Sequence, residues 1–318
     1  MNAGMHIVKS EQPRPPRLVH YIEYVALRAM FWLVRALPLN IAKSISETGV
    51  RKIAPLTRRH TRVLDHLRHA LPERTETERR KIADEMWRNV GTIAIETLVL
   101  DRLAAEPDRF SFEYNGVDEV IRAAPNGCIY VACHYGNWEV LPLAAHDLKR
   151  SLAGVYKQLS NPLSEHFLKE LREPFYQGGL FPKGYTTARQ VLSLAKQGKD
   201  IAVLADLRDT RGVEVPFFGR NAWATPFPAL IARTYDRPLI AVRPRRIGPS
   251  RFRFELEQID VPRTDDRAAD IKAATAAVHA VFERWIRECP DQWFWTHRKW
   301  DYATNPPESG PENSSEPA

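Results

Sequence analysis

Cys128-Ile129-Tyr130-Val131-Ala132-Cys133-His134-Tyr135-Gly136-Asn137-Trp138-Glu139 is the stretch whose reading decides the fold. Its first six residues form an apolar run with no alternation, the pattern of a strand covered on both faces. His134 falls where that strand ends, and Glu139 falls in or near the first turn of a following helix. Downstream, strand signals over 153–156, 201–206, 239–243 and 251–258 alternate with helical patterns near 162–175, 186–197, 225–236 and 268–288. Alternation of this kind implies an α/β fold with a mostly parallel central sheet flanked by helices. A short β-type run from Phe110 to Tyr114 precedes it, and the last two strands, joined through Ile247-Gly248-Pro249-Ser250, read as an antiparallel pair closing the sheet.

Before this core the periodicity is helical. Thr75-Glu76-Thr77-Glu78 supplies a capping box for a long helix expected to reach about Arg102, with Gly91 as its weak point. Earlier still, an apolar run from Tyr21 to Leu39 carries Ile22, Ala26, Met30, Leu33 and Leu37 on one face, with Arg28 and Arg35 on the other. Glu23, Arg28 and Arg35 leave no uncharged window of ~18 residues to span a bilayer comfortably. The pattern fits a helix lying in a membrane interface, its arginines reaching lipid phosphates, and equally a helix packed on the protein's own core. The organisation is therefore a polar leader (1–18), an N-terminal helical, membrane-associated extension (19–105), an α/β core (106–302) and a tail (303–318) expected to be disordered.

Composition narrows the function. The 318 residues carry 46 Lys+Arg against 39 Asp+Glu, a net charge of +7, and 44% are hydrophobic, which excludes a disordered or fibrous chain. Three cysteines with no C-x-x-C spacing provide neither a disulfide framework nor a zinc site, so a reducing compartment is expected. Cys133 is a poor nucleophile candidate, because adjacent strand residues point to opposite faces and His134 takes the exposed one.

His134 and Glu139 are the candidate catalytic pair. A five-residue offset across a strand-to-helix turn allows the carboxylate to return to the imidazole, fixing its tautomer so that the free nitrogen takes a proton from a hydroxyl. No further ligands stand nearby to make this a metal site, and no cofactor is implied.

The surrounding motifs, in order, are Gly154-Val155-Tyr156-Lys157 with Asn161-Pro162, Leu204-Ala205-Asp206, Val215-Pro216-Phe217-Phe218-Gly219 with Ala224-Thr225, and Trp293-Phe294-Trp295-Thr296-His297-Arg298. Together with the His134 segment they resemble the bacterial late acyltransferases of lipid A biosynthesis, from about Tyr21 to Tyr302. That resemblance implies an enzyme on the cytoplasmic face of the inner membrane that transfers an acyl chain from acyl carrier protein to an anionic glycolipid. It makes His134 and Glu139 the catalytic dyad, and Arg172, Asp206, Lys157 and Asn137 substrate-binding or site-organising residues. Lys157 stands where many members carry arginine, so a planar fork is replaced by a point charge.

Arg233, Arg237, Arg243, Arg245, Arg246, Arg251 and Arg253 crowd the C-terminal strands and are expected to form a field for phosphates and carboxylates. No helix-turn-helix, zinc-finger, RRM or KH pattern accompanies them, which speaks against nucleic acid as a partner. His297 and Arg298 read first as structural residues beside the last strand, with shaping the site as the alternative, and Phe217-Phe218-Gly219 reads first as core or turn, with the border of an acyl groove as the alternative.

Overall fold

The computed structural model describes residues 15–300; the leader up to residue 14 and the expected tail lie outside the described residues. The N-terminal helices are α1 (Leu18–Ala36), α2 (Leu39–Ile53), α3 (Arg58–Ala70), α4 (Glu76–Leu98) and α5 (Leu100–Ala104). The capping box forms as expected: Thr75 N–H donates to Glu78 Oε2 (2.7 Å) and Glu78 N–H donates to Thr75 Oγ1 (3.3 Å). Gly91 does not weaken α4. A Cβ there would stand 2.8 Å from Glu47 Cα, so the glycine is where the backbones of α2 and α4 touch.

The core then runs β1 (Phe110–Glu113), α6 (Val117–Arg122), β2 (Ile129–Ala132), α7 (Leu141–Asp147), β3 (Leu152–Tyr156), α8 (Pro162–Arg172), β4 (Leu180–Pro182), α9 (Tyr185–Lys196) and β5 (Asp200–Leu204). It continues through β6 (Arg208–Phe217), β7 (Arg220–Ala224), α10 (Phe227–Tyr235), β8 (Leu239–Gly248), β9 (Arg251–Ile259) and α11 (Arg267–Glu288). Seven strands make one sheet in the order β1-β9-β8-β2-β5-β3-β4, parallel except for the β8–β9 pair. The antiparallel pair is as read from the sequence, but it does not close the sheet, because β1 adds in parallel outside β9. The separate β6–β7 hairpin and the three-residue β4 carried no sequence signal strong enough to be expected.

Pleat parity divides the core. Ile129, Val131, Ile201 and Ala241 face one apolar cluster under α10 and α11, while Tyr130, Ala132, Ile240 and Val242 face another under α7. The chain neighbours of β2, strands β1 and β3, lie on opposite sides of it. Such a strand leaves a crevice at its carboxyl end, where ligands bind in open α/β sheets.

α1 is oriented contrary to an ordinary surface helix. Leu18, Ile22, Val25, Trp32 and Leu33 are each at least 60% exposed, whereas Phe31 and Val34 are buried against α4 and Phe167 of α8. The arginines expected to reach lipid phosphates turn inward: Arg35 makes a two-pronged pair with Asp101 (2.8 and 2.9 Å), and Arg28 lies 4.9 Å over the Phe167 ring. No helix among the described residues is long and apolar enough to cross a membrane.

Candidate active site

His134 sits just beyond β2, at the carboxyl edge of the sheet, with Asp206 just beyond the neighbouring β5. The parallel register of these strands brings the two residues together across 72 positions of sequence. The His134 backbone N–H donates to Asp206 Oδ2 (2.9 Å), and Nδ1 lies 2.8 Å from Asp206 Oδ1. Trp293 Nε1–H donates to Oδ2 as well (2.9 Å). Burial alone would raise the Asp206 pKa, but the imidazole and these three hydrogen bonds overcome it and hold the carboxyl far below its usual range. An ionised carboxylate only accepts, so Nδ1 carries a proton, and in the neutral imidazole the lone pair belongs to Nε2.

This corrects the reading of Glu139. Its carboxylate is not the group on the imidazole Nδ1. It is gripped by Arg172, whose Nε and Nη2 each donate at 2.7 Å, and it also accepts from Trp138 Nε1 (3.2 Å). Burial opposes the Arg172 charge, but Glu139 outweighs it and raises the guanidinium pKa. The local reason is the short 3-10 turn over Trp138–Val140, whose first carboxylate projects toward the C-terminal end of α8 rather than back to the strand tip.

Asn137, expected to touch substrate, is fully buried. Its Oδ1 accepts from Glu139 N–H (3.0 Å), and its Nδ2 donates to Glu96 of α4 (2.9 Å). It therefore fixes the turn that carries Glu139. Glu96, itself buried, also receives both terminal nitrogens of Arg246 (2.8 and 2.7 Å) and the Ser250 hydroxyl (2.7 Å). Gly136, at φ +58°, passes so close to β8 that a Cβ would stand 1.8 Å from the Pro244 carbonyl oxygen.

The segment after α11 completes the site. Gly136 N–H donates to the Gln292 carbonyl and Phe294 N–H to the His134 carbonyl, both at 2.9 Å. His297, expected to be structural, packs its ring 4.9 Å from that of His134, and Trp138 stands 5.0 Å away on another side. Burial, then the neighbouring His134, lowers the His297 pKa to about 4, so this second imidazole is neutral at pH 7. Behind Asp206, the buried Lys299 donates to His279 Nε2 (2.9 Å), and burial lowers its pKa to about 8. Cys133 is wholly buried, with its thiol pushed well above the ordinary value.

A cavity of about 710 Å³ opens beside His134. Glu139, Arg172 and Lys157 line it with His134, while Asp206 stands behind the imidazole, 2% exposed. The arginine field of the C-terminal strands is a second correction. Arg243 pairs with Glu255 and Glu288, Arg246 with Glu96 and Arg233 with Asp270, so these charges are consumed inside the fold. The cations that reach the cavity are Lys157, Arg172, Lys183 and Arg211. Phe217 and Phe218 belong to the core, as expected. No group of three or more His, Cys, Asp or Glu arranged to hold a metal occurs among the described residues.

Comparison with known proteins matches the chain over most of its length. A family model described as bacterial lipid A biosynthesis acyltransferase matches residues 12–301. The chain is 26% identical over 281 residues to a lipid A biosynthesis lauroyltransferase of Escherichia coli strain K12, covering 85% of this chain and 88% of that protein. It is 23% identical over 277 residues, with the same coverage, to a lipid A biosynthesis palmitoleoyltransferase of the same strain and to a lipid A biosynthesis acyltransferase of Shigella flexneri.

Proposed function

Because the chain belongs to the bacterial lipid A biosynthesis acyltransferase family, we propose that it moves a fatty acyl group from an acyl-carrier-protein thioester to a hydroxyl of a lipid A precursor, with His134 as general base. One observation carries the proposal: an imidazole whose Nδ1 proton is tied to an ionised, buried carboxylate stands on the wall of a largely apolar cavity. Nε2 takes the hydroxyl proton as the oxygen attacks the thioester carbonyl carbon. Asp206 stabilises the imidazolium that results. The tetrahedral oxyanion collapses, the carbon–sulfur bond breaks, and the imidazolium returns its proton to the departing thiolate. No covalent enzyme intermediate is needed, in keeping with a buried Cys133.

Glu139 acts through Arg172. Its two hydrogen bonds hold the guanidinium on the cavity wall, a fixed positive charge for the developing oxyanion or for an anionic group of the acceptor. Lys157, exposed at the mouth, supplies a point charge for the headgroup. The outward stripe of α1, continued by Ile41, Ile45 and Ile53 of α2, is the surface proposed to rest in the cytoplasmic leaflet of the inner membrane. Exposed apolar side chains gathered on neighbouring helices mark interaction sites, and Arg28 and Arg35 of α1 are engaged with Phe167 and Asp101.

The test is mass spectrometry of lipid A from a deletion strain complemented with wild-type or His134→Ala chains, with transfer also measured on the purified proteins. Wild type restores one acyl chain and the variant restores none. Retained transfer by purified, folded His134→Ala protein overturns the mechanism.

A further inference from the structure

The cavity is not one groove. Strand β5 is interior to a parallel sheet, with β2 on one side and β3 on the other, and both its faces should be sealed. Instead Ala202, Val203 and Leu204 are all half-buried, although they alternate between opposite faces. The lining residues separate by the same parity. Tyr130, Ala132, Ala145, Leu148 and Leu204 bound a lobe between the sheet and α7. Val155, Val203, Val191 and Phe227, with Ala188, bound a second lobe on the opposite face, under α9 and α10. Residues of both faces line one continuous cavity, and His134, just beyond β2 at the carboxyl edge of the sheet, lines it too.

The polar residues are unequally shared. Trp138, Glu139 and Arg172 border the α7 lobe, while Lys183, just before α9, and Arg211, in the β6 arm, stand at the α9 side with Lys157 nearby. An apolar slot with cations at its mouth suits a chain attached to an anionic headgroup.

We infer that the lobes hold two different chains at once: the transferred acyl chain in the α7 lobe, and a chain of the anionic lipid acceptor in the α9 lobe. The inference rests on the proposed acyl transfer. A donor thioester and an acceptor hydroxyl must meet at one nitrogen, and two slots of the one cavity that His134 lines let both lipids bury their chains without crossing. The 710 Å³ lies within the ~300–1,000 Å³ typical of ligand pockets, and here it is divided between two faces.

Two single substitutions separate the lobes. Ala145→Leu fills the α7 lobe, and Ala188→Leu fills the α9 lobe. With acyl-carrier-protein donors of graded chain length, Ala145→Leu shifts the preferred donor to a shorter chain and leaves the acceptor KM unchanged. Ala188→Leu keeps the donor preference and raises the acceptor KM about tenfold, the effect of leaving roughly two methylenes unburied. An acceptor with shortened chains reverses that increase. Each variant's unaffected parameter certifies its fold. A donor KM raised by Ala188→Leu would instead assign the α9 lobe to the donor's linker arm and overturn the inference, as would unchanged kinetics.

A second measurement does not depend on turnover. Wild-type protein is photolabelled with a lipid A precursor bearing a diazirine at a chain end, and separately with an acyl-carrier-protein thioester bearing the same group. Acceptor label in the α9 and α10 peptides with donor label in the α7 peptide is the expected result. Both labels in the α7 peptide, or an acceptor label in neither lobe, refutes it. Wild-type protein that fails to transfer a chain refutes the proposed reaction, while the labelling still reports where each chain lies.

Discussion

Asp206→Asn tests the assignment of the acid on the imidazole. Asp206 Oδ2 accepts from two donors, His134 N–H and Trp293 Nε1–H, whereas Oδ1 accepts only from His134 Nδ1. An asparagine has one oxygen, and turning its NH₂ toward the two donors would leave both unsatisfied at about 1–3 kcal/mol each. The amide therefore places its oxygen at the Oδ2 position and its NH₂ against Nδ1. Nδ1 must then accept, and the proton moves to Nε2, where the base is needed. The lost general-base catalysis and inverted tautomer together predict a fall in kcat of about 10³–10⁴, or roughly 4–5.5 kcal/mol of barrier. KM changes little, because Asp206 stands outside the cavity. Single-turnover transfer gives the rate, and ¹⁵N chemical shifts of the imidazole give the tautomer. A folded Asp206→Asn protein within tenfold of wild type, with its tautomer unchanged, would refute the reasoning and return the orienting role to Glu139.

Other substitutions separate the remaining parts of the site. Glu139→Gln removes the ionic partner of Arg172 and should lower kcat about 10²-fold, the scale of losing one transition-state contact, while the His134 tautomer signal stays in place; inversion of that signal would sink the assignment. Gly136→Ala forces a Cβ toward the Pro244 carbonyl at a positive φ, so melting should drop by at least the equivalent of about 2 kcal/mol, and an unchanged Tm would show that β8 yields freely. His66, His297 and His279 have pKa values lowered to about 4, about 4 and about 3, in each case chiefly by burial. The unfolded chain takes up protons below about pH 6.5 that the fold refuses until about pH 4 or 3, so their stabilisation is complete above 6.5 and is lost as pH falls. Three such groups give a slope of about 4 kcal/mol per pH unit near pH 5. Denaturant midpoints across pH 4.5–7.5 measure it, and a flat profile would contradict the burial.

The parts legible in the sequence are those set by local pattern. The run ending at Cys133 declares a buried strand, Thr75 and Glu78 announce a helix start, and helix–strand alternation specifies a parallel sheet. His134 was legible as a candidate site residue because strand tips are where such sheets bind ligands. Its partner was not, because nothing local distinguishes Glu139, five residues away, from Asp206, 72 residues away. Only the register of β2 against β5, in which Ala132 pairs with Leu204, makes the distant acid the near one. The arginine cluster failed for the same reason in reverse. Counted along the chain it is a positive field, but Glu96, Glu255, Asp270 and Glu288 neutralise it from other elements. Lys183 and Arg211 carried no signal at all, being isolated cations in unremarkable contexts.

The setting of the proposed base is therefore a product of chain closure more than of its own motif. An ionised carboxylate as buried as Asp206 is costly unless every lone pair has a partner, and its partners come from the tip of β2 and from Trp293 near the end of the described chain. Trp293 is fixed by its bridge to Tyr135, and Phe294 by its bond to the His134 carbonyl. The same closing segment carries His297 onto the wall beside His134 and Lys299 into the core behind Asp206. Remove that segment, and Asp206 loses a donor while one wall of the cavity opens to water, which weakens the electrostatic hold on the imidazole. The tautomer proposed for His134 thus depends on residues about 160 positions downstream, through Trp293 and its hold on Asp206.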